Sequence, residues 1–433
     1  MGEYLTPVKR ITIPVYGSVD TTGLEPIIHV KEFQHTFHTK QLGFSEFVFP
    51  GARHTRGEHL LGALAQCREY TRPLVRKGLM TPAEARNCEL AALLHDVGHG
   101  PYSHVLENVL KTYGSTFKDH KERTARLIET VFAGPIAADG SSPEDVLLIV
   151  QKRVPLSKII SHKTIGADKV AYVRVDQHHT GFPPSPLNIG DLPENIMYLN
   201  GQLGTDERMM PRLMEMQRYY FSMYSEVYLR KQTRAIERIF ERAVQEAIEA
   251  GDLQPDEVWP MSDDQLVGRL CSIRGMEDRI AKMFTGNREM LRAAVVLRMP
   301  GHEQKEIVRG KSLVFEPLLQ EKAAQFFKTY ADPKTVHAAE KEIAQLLNIP
   351  LTDIVFTCVD DPARLIPEDV QIFEPTGIPA GTLFDRYPKH ASSLEELAQS
   401  VTACRVMVAS QHRERTAQAA KEICEILYKP LAA

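Results

Sequence analysis

The chain lacks the features of membrane and exported proteins. No run of about eighteen apolar residues occurs in its 433 residues, so the sequence predicts no membrane-spanning helix. The stretch from Met1 to Pro7 has no apolar signal core. The formal net charge is only −4, which gives no general attraction to nucleic acid or to a membrane surface. We therefore predict a soluble, cytoplasmic protein in which any basic site is local.

Cysteine is also scarce, and its positions follow no metal-binding pattern. The six cysteines are scattered without the paired spacing of a structural zinc site, and several fall within apolar helical patterns. They are typical of reduced thiols in the core of a cytosolic protein. The sequence likewise contains no internal repeat, no heptad array and no low-complexity tract. The cysteines are Cys67, Cys88, Cys271, Cys358, Cys404 and Cys424.

Helical periodicity dominates the first 250 residues, and 43% of the chain is hydrophobic, enough for a sizeable core and two domains. Thr81 followed by Pro82 predicts the start of a helix that runs to Leu94. The segment from Ala133 to Ser142 predicts a loop, and a long helix is expected from about Pro211 to Ala250. We predict a mainly α fold: a helical bundle over 1–250, a linker over 251–262, and a mixed α/β accessory or oligomerisation region over 263–433.

The stretch from Leu93 to His104 contains the strongest chemical signal. His95 and Asp96 stand side by side at the end of an apolar helical run, and two more histidines follow before Gly and Pro residues end the helix. Imidazole nitrogen with carboxylate oxygen suits divalent first-row metals, because the two ligand types differ in softness. Since two ligands are too few, partners are expected elsewhere in the chain.

Two further segments supply such partners. Residues 53–59 end in His59, and residues 166–179 contain Asp168. The order His, His-Asp, Asp resembles the HD-domain metal-dependent phosphohydrolases, which implies that the predicted bundle is an HD-domain phosphohydrolase core. By this resemblance the metal ligands are His59, His95, Asp96 and Asp168. The implied cofactor is a divalent transition metal, namely Mn, Fe, Zn, Ni or Co, with Mg as a further candidate on the phosphates.

The resemblance extends to the branch of deoxynucleoside triphosphate triphosphohydrolases. It is found in residues 49–59, 95–104 and 168–179 and covers roughly residues 10 to 250. In that branch a deoxynucleoside triphosphate is cut at the α-phosphate, which yields deoxynucleoside and inorganic triphosphate. The resemblance implies that His99 and His104 line the phosphates and that Glu107 and His120 form the acid/base pair. A carboxylate beside an imidazole fits that role, because it fixes the tautomer and raises the imidazole pKa.

The implied substrate-binding residues come from several segments. Gln41 and Leu42 lie in a stretch that resembles the sugar-reading segment of the family. Cationic side chains that converge on one point are suited to bind a compact polyphosphate, because its phosphates are negatively charged. The resemblance also assigns phosphate or sugar contacts to Arg56, Lys169 and Tyr172, and it places Asp176 and Tyr228 around the ribose.

The sequence also departs from the branch. Vertebrate members carry an arginine and a histidine at about the positions of Tyr220 and Tyr224, which puts the phosphate contacts there in question and leaves Arg218 or Arg230 as substitutes. Two alternatives therefore stay open: a phosphatase or phosphodiesterase acting on another nucleotide, and a non-catalytic nucleotide-binding regulator. Relatives commonly assemble as dimers or tetramers, so we expect a homo-oligomer, with no membrane partner and no indication of nucleic acid.

Overall fold

The computed structural model describes residues 8–285, 291–302, 312–359 and 362–431. Within these ranges the chain is mainly α-helical, and strands of a mixed α/β region follow in the C-terminal part. The predicted fold class is confirmed at this level. The first seven residues of the predicted core and the last two of the accessory region lie outside the described residues.

Residues 8–250 form a helical bundle with two small β-hairpins. The strands are β1 (Arg10–Ile13), β2 (Gly17–Asp20), β3 (Ile196–Leu199) and β4 (Gln202–Asp206). The helices are α1 (Glu25–Ile28), α2 (Lys31–His35), α3 (Arg56–Arg76), α4 (Pro82–Leu94), α5 (Glu107–Thr112), α6 (His120–Leu127), α7 (Ala133–Ala138), α8 (Pro143–Val150), α9 (Lys158–Ser161), α10 (Ala167–Thr180), α11 (Leu192–Asn195), α12 (Met210–Met223) and α13 (Lys231–Glu249).

The remaining chain alternates helices with short strands. Its helices are α14 (Pro255–Val258), α15 (Asp263–Cys271), α16 (Glu277–Thr285), α17 (Ala323–Thr329), α18 (Pro333–Leu347), α19 (Leu383–Arg386), α20 (Pro388–Val401), α21 (Arg413–Gln418) and α22 (Ala420–Tyr428). Its strands are β5 (Arg292–Arg298), β6 (Val314–Pro317), β7 (Ile354–Thr357), β8 (Gln371–Phe373), β9 (Pro379–Thr382) and β10 (Ala403–Val408).

Two four-stranded sheets organise the strands of this second half. One has the order β6-β5-β10-β7, in which β10 pairs antiparallel with both β5 and β7. The other has the order β3-β4-β8-β9, and β8 pairs parallel with β4. The second sheet therefore joins strands from before and after the predicted linker.

The helices that carry the motif residues pack directly on one another. α3 packs against both α4 and α10, and apolar side chains such as Leu60, Leu64, Leu90 and Val170 are fully buried between them. Local signals fix the start of two of these helices. The Thr55 side chain accepts the N–H of Glu58 at the start of α3, and α4 starts with a capping box that includes Thr81. The predicted start of α4 is confirmed.

The predicted loop from Ala133 to Ser142 was wrong in its first half, which is helix α7. The helix continues directly from a π-helical turn over Ile128–Phe132. Phe132 and Ile136 are fully buried, so apolar packing outweighs the low helix propensity of Gly134 and Pro135.

The predicted continuous helix from Pro211 to Ala250 was also wrong. α12 ends at Met223, a π-helical segment covers Tyr224–Tyr228, and Arg230 is extended with ψ 123° before α13 starts. Aromatic and β-branched residues favour the helix less in this segment. The break turns Tyr224 and Tyr228 toward the bundle interior, where both line a cavity described below.

The predicted linker over 251–262 contains a buried anchor. Trp259 is 2% exposed, and its indole N–H donates to Ser115 Oγ over 2.7 Å. Its ring lies at right angles to that of Phe117, with centroids 6.1 Å apart. The division into a core, a linker and an accessory region stays a prediction. Residues before and after the predicted linker contact one another, for example through the pairing of β4 with β8.

The structure also bears on membrane-spanning helices and on the cysteines. None of the described helices is long and apolar enough to cross a bilayer. All six cysteines have free thiols, of which Cys67, Cys88 and Cys404 are buried.

Candidate functional site

A cavity of about 720 Å³ opens beside the C-terminal end of α4. Its wall contains charged and polar side chains from α3, α6 and α10 together with the apolar side chains of Ala125, Ile149 and Ile160. His99, Glu107 and Lys169 are not among its lining residues. Twelve of the fifteen residues predicted to form a site line it: Gln41, Leu42, Arg56, His59, His95, Asp96, His104, His120, Asp168, Tyr172, Asp176 and Tyr228.

The four predicted metal ligands lie together at one end of this cavity, and we name them the histidine–aspartate cluster. His59 Nε2 and His95 Nε2 are 3.3 Å apart, and each lies 3.3 Å from Asp168 Oδ1. Asp96 contributes Oδ1 at 3.6 Å from His95 Nε2 and Oδ2 at 3.9 Å from His59 Nε2. α3 supplies His59, α10 supplies Asp168, and the other two residues follow directly after α4.

The 3.3 Å separations among His59, His95 and Asp168 fit a single bound metal ion, whereas the Asp96 oxygens lie slightly farther from the two imidazole nitrogens. Donors about 2.1 Å from one ion lie about 3.0 to 3.4 Å apart at angles between 90° and 109°. His95 Nδ1 donates to the Ala92 carbonyl over 2.9 Å, so the lone pair of Nε2 faces the cluster. Burial raises the pKa of the Asp168 carboxyl, but the neighbouring His95 and His59 rings lower it far more. Asp168 is therefore anionic and suited to a divalent cation.

Arg56 links the histidine–aspartate cluster to the neighbouring loop. Its Nη1 forms a short ion pair with Asp96 Oδ2, and its Nε donates to Ser103 Oγ over 2.9 Å. Ser103 Oγ in turn donates to the Lys40 carbonyl over 2.6 Å. Arg56 is 3% exposed and its guanidinium is shared with a predicted metal ligand, so its position is fixed before any substrate arrives.

The predicted catalytic residues form a second group, the histidine–glutamate cluster of His99, His104, Glu107 and His120. Glu107 Oε1 accepts hydrogen bonds from His104 Nδ1 and from His120 Nδ1, each over 2.9 Å. The His99 and His120 rings stack with centroids 3.9 Å apart. Burial raises the pKa of Glu107, but the hydrogen bonds from the two histidines hold it well below its usual range.

The two clusters meet at Asp96. His120 Nε2 lies 3.7 Å from Asp96 Oδ1, and His99 Nε2 lies 3.4 Å from Asp96 Oδ2. His104 is largely exposed at the cavity mouth, with a side-chain exposure of 65%, while the His99 side chain is 1% exposed and lies behind it. Burial, Arg56 and His120 lower the pKa of His99 well below its ordinary value, so this ring is neutral.

The predicted sugar-binding residues lie along a neighbouring part of the wall. Asp176 is 1% exposed, and its Oδ2 accepts the hydroxyl proton of Tyr228 over 2.7 Å. His54 Nε2 lies 2.8 Å from Asp176 Oδ1. Gln41 lines this part of the cavity, and its buried Oε1 has no hydrogen-bond partner among the described residues, so its amide has an unused acceptor.

Lys169 lies in a side pocket of about 200 Å³ that shares Asp168, Tyr172 and Tyr224 with the main cavity. Its Nζ is 4.7 to 4.9 Å from the ring centroids of Tyr172, Tyr220 and Tyr224. We name these four residues the lysine–tyrosine cluster. Lys169 Nζ also donates to the Tyr224 hydroxyl over 3.3 Å. The two tyrosines noted as departures thus surround the lysine predicted to bind phosphate.

Neither suggested substitute cation lines the cavity or the side pocket. Arg230 donates to Glu226 Oε2 over 3.0 Å and lies over the Phe49 ring at 5.8 Å. Arg218 is exposed on α12 and is not among the lining residues. The suggestion that either arginine replaces the missing phosphate contacts is therefore not supported by their positions.

No motif in the sequence pointed to Asp263, although this residue supports the site. It is 3% exposed at the start of α15. Its Oδ1 accepts the N–H of Tyr102 over 2.7 Å, and its Oδ2 accepts the N–H of Lys40 over 3.0 Å. Tyr102 and Ser103 have positive φ angles of 56° and 59°. Asp263 therefore holds a strained loop against the segment that carries Gln41.

Two family models match the chain. Residues 56–153 match the HD domain, and residues 216–326 match the HD associated region. The first match includes His59, His95 and Asp96, while Asp168 lies beyond it. The chain therefore contains an HD domain and an HD associated region, and the predicted resemblance is confirmed to this extent.

Curated relatives match the chain over part of its length. The uncharacterized protein YwfO of Bacillus subtilis (strain 168) is 27% identical over 232 residues, which are 52% of this chain and 52% of that protein. The deoxynucleoside triphosphate triphosphohydrolase SAMHD1 of Xenopus laevis is 35% identical over 218 residues, 40% of this chain and 34% of that protein. The chain spans about half the length of the curated relatives it matches.

A solved structure shares the fold along nearly the whole chain. A hypothetical protein from Aquifex aeolicus superposes with a TM-score of 0.70 at 21% identity, and the match covers 95% of this chain and 99% of that chain. The C-terminal α/β elements are thus part of a fold that occurs together with the helical bundle in another protein.

Proposed function

We propose that this protein is a metal-dependent phosphohydrolase that cleaves deoxynucleoside triphosphates to deoxynucleoside and inorganic triphosphate. The observation that carries the proposal is the contact of the two clusters at Asp96, where His120 Nε2 lies 3.7 Å from Oδ1. A metal site beside a hydrogen-bonded histidine–carboxylate pair combines electrophilic assistance with proton transfer. The Xenopus laevis relative is named as a deoxynucleoside triphosphate triphosphohydrolase, which agrees with this reaction.

The histidine–aspartate cluster would hold the metal ion. A divalent ion bound there polarises a phosphoryl oxygen and lowers the pKa of water. Arg56 donates toward Asp96 and Ser103, which keeps its guanidinium at the cavity wall for a phosphate oxygen. Glu107 accepts from Nδ1 of His120, so His120 Nε2 faces the cavity and can transfer a proton to a leaving 5′ oxygen.

The opposite charges along the wall would orient the substrate. Lys169 supplies a cation for the phosphates, and the pair of Asp176 and Tyr228 supplies polar groups for the deoxyribose. The Gln41 carbonyl oxygen, which has no partner among the described residues, is an acceptor for a sugar hydroxyl. In this orientation the α-phosphate lies near His120 and the metal ligands.

Product analysis tests the reaction directly. We would incubate the manganese-loaded protein with each of the four dNTPs, with ATP and with GTP, alone and mixed, and separate the products by chromatography. Deoxynucleoside with inorganic triphosphate is the expected result. If every dNTP stays intact, and His95→Ala changes neither metal content nor any activity, the proposal is wrong.

The tyrosines at positions 220 and 224 favour a second candidate, a phosphatase or phosphodiesterase that acts on another nucleotide. They occupy the wall where the vertebrate branch is expected to carry cations, and Tyr220 donates its hydroxyl to the Thr164 carbonyl over 2.5 Å. Monophosphate or diphosphate products would support this candidate. Stoichiometric binding without turnover would instead support a nucleotide-binding regulator.

A further inference from the structure

The loop that follows α8 reaches the cavity, although the sequence motifs assign it no role. Gln151, Lys152 and Arg153 all line the main cavity, and Lys152 lines the side pocket as well. Gln151 Oε1 is buried without a hydrogen-bond partner among the described residues. Within the described part of the chain, the Lys152 ammonium group has no carboxylate at ion-pair distance. An unpaired cation therefore stands where the cavity and the side pocket join.

The backbone of Lys152 is unusual for a residue with a side chain. Its φ angle is +60°. It ends α8 in a Schellman motif, in which the Lys152 N–H donates to the Ile149 carbonyl over 3.1 Å and the Arg153 N–H donates to the Leu148 carbonyl over 2.9 Å. The left-handed residue of this motif is usually glycine, because a Cβ is disfavoured in that conformation.

The same chain uses glycine at the equivalent position of four other helices and asparagine, Asn348, at the end of α18. Glycine and asparagine are the residues that adopt this conformation most readily. α3, α5, α7 and α13 end in the same pair of hydrogen bonds, and the left-handed residue has a φ angle between 70° and 86° in each. These residues are Gly78, Gly114, Gly140 and Gly251. Helix termination alone therefore does not account for a lysine at position 152. A residue held in an unfavourable conformation at a cavity wall indicates a role for its side chain.

The surroundings of Lys152 suit an anion. The side pocket is also lined by Lys163, Lys169 and Arg364, and Asp168 is the single carboxylate among its described lining residues. Burial and neighbouring Lys121 lower the pKa of Lys152, while Asp168 raises it. Because Lys152 is an exposed residue, an anionic ligand can reach it, and that ligand would offset the repulsion between the neighbouring cations.

We propose that Lys152 binds the terminal phosphates of the substrate's polyphosphate chain at the junction of the main cavity and the side pocket. This assignment rests on the proposed function and names the residue that complements Lys169. It also explains how the site accommodates Tyr220 and Tyr224, since the loop after α8 supplies a charge to the same side pocket. The ligand class is a chain of at least two phosphates that extends away from the histidine–aspartate cluster.

Calorimetric titration of the manganese-loaded full chain with inorganic tripolyphosphate tests the assignment without requiring turnover. Lys152→Gly and Lys152→Asn suit the left-handed backbone but remove the charge, so we expect each to weaken tripolyphosphate binding about tenfold. Lys152→Arg keeps the charge and is expected to retain most of the affinity. A parallel rise in KM for the triphosphate substrate, with little change in kcat, is expected for the two uncharged variants.

Two control variants distinguish the effect of the Lys152 charge on tripolyphosphate binding from the effect of changing a left-handed residue or removing any surface lysine. Asn348→Gly changes another left-handed residue, with a φ angle of 47°, at the end of α18 outside both pockets. Lys389→Ala removes an exposed lysine on α20. Both controls are expected to bind tripolyphosphate as the wild type does.

The outcomes distinguish this assignment from the proposed function. If Lys152→Gly and Lys152→Asn bind tripolyphosphate as tightly as the wild type, or if the wild type does not bind it, the assignment is overturned. If the wild type binds tripolyphosphate through Lys152 but leaves every dNTP intact, the assignment stands and the proposed hydrolysis fails. Normal dNTP cleavage with no effect of the variants on binding or KM overturns the assignment of Lys152 alone.

Discussion

The histidine–aspartate cluster and the lysine–tyrosine cluster are built on opposite electrostatic principles. In the first, four donors crowd together at separations of 3.3 to 3.9 Å, and two of them are carboxylates. In the second, the Lys169 ammonium group lies 4.7 to 4.9 Å from the centroids of three tyrosine rings. It also donates to the hydroxyl oxygens of two of these tyrosines. No carboxylate lies at ion-pair distance from Lys169 in the described part of the chain.

The difference shows how one small protein region can attract ligands of both charges. Crowded carboxylates repel one another, and a bound cation relieves that repulsion. Aromatic faces and hydroxyl oxygens stabilise a buried ammonium group without neutralising it, so its charge stays available for an anion. The first cluster is therefore suited to a metal ion and the second to a phosphate group.

The largest effect is expected from removing a ring of the histidine–aspartate cluster. His95→Ala deletes a nitrogen that lies 3.3 Å from both His59 Nε2 and Asp168 Oδ1. Loss of outer-shell partners alone lowers metal affinity about 10- to 100-fold, so loss of a ligand should exceed that and abolish activity. Elemental analysis of the purified variant measures the bound metal. His412→Ala, which alters a histidine paired with Asp353, is the control; unchanged metal content in His95→Ala would contradict the ligand assignment.

The histidine–glutamate cluster should affect turnover without affecting the metal. Glu107→Gln replaces a carboxylate whose Oε1 accepts from two imidazoles, so the His120 ring loses the anionic acceptor that orients it. We expect kcat to fall about 10²-fold, the usual range for a general acid or base. Steady-state kinetics and elemental analysis of the same sample check both parts. Loss of metal in this variant would show that the two clusters are not separate.

Neutralising the lysine–tyrosine cluster should mainly weaken binding. Lys169→Met keeps a flexible apolar chain among Tyr172, Tyr220 and Tyr224 but removes the charge. We expect KM for the triphosphate to rise about tenfold with a smaller change in kcat, because the group acts on binding more than on the reacting phosphate. Metal content should stay at the wild-type value. A fall in metal content would show that Lys169 also supports the metal site, and it would contradict the separate roles of the two clusters.

The smallest expected effect is on the pH dependence of stability, and it comes from Asp263, the residue that holds the loop of Tyr102 and Ser103 in place. Burial raises the pKa of Asp263 from its ordinary value of 3.8 to about 6. The unfolded chain therefore loses this proton at lower pH than the folded chain, and the free energy of unfolding falls as pH rises through this range. The contribution is about 3 kcal/mol in total, of which about 1 kcal/mol is lost between pH 5 and pH 7.5.

Asp263→Asn cannot titrate at this position, so it should remove that slope. Urea unfolding of wild type and variant at both pH values gives the measurement, and the control is Asp264→Asn beside it. A wild-type minus variant difference that does not change with pH would contradict the raised pKa of Asp263.

Local sequence signals predicted the parts of the site that depend on neighbouring residues. Thr81, Pro82 and Glu84 define the start of α4, and the apolar spacing that follows brings His95 and Asp96 to the bundle interior. The predicted long helix over Pro211–Ala250 failed because its apolar pattern continues through Tyr224–Tyr228, where contacts with Asp176 and Lys169 compete with helical geometry.

The sequence by itself determined the mainly α fold, the start of α4 and the order of the metal-binding motif, because each follows from local residue patterns. Only the tertiary structure decided what supports and extends the site. Asp263 contacts Tyr102 and Lys40 across 161 and 223 residues of chain. Lys152 looks like an ordinary surface lysine in the sequence, and its role depends on a left-handed helix end that places it at a cavity wall. Such contacts leave no local pattern, because folding alone brings their partners together.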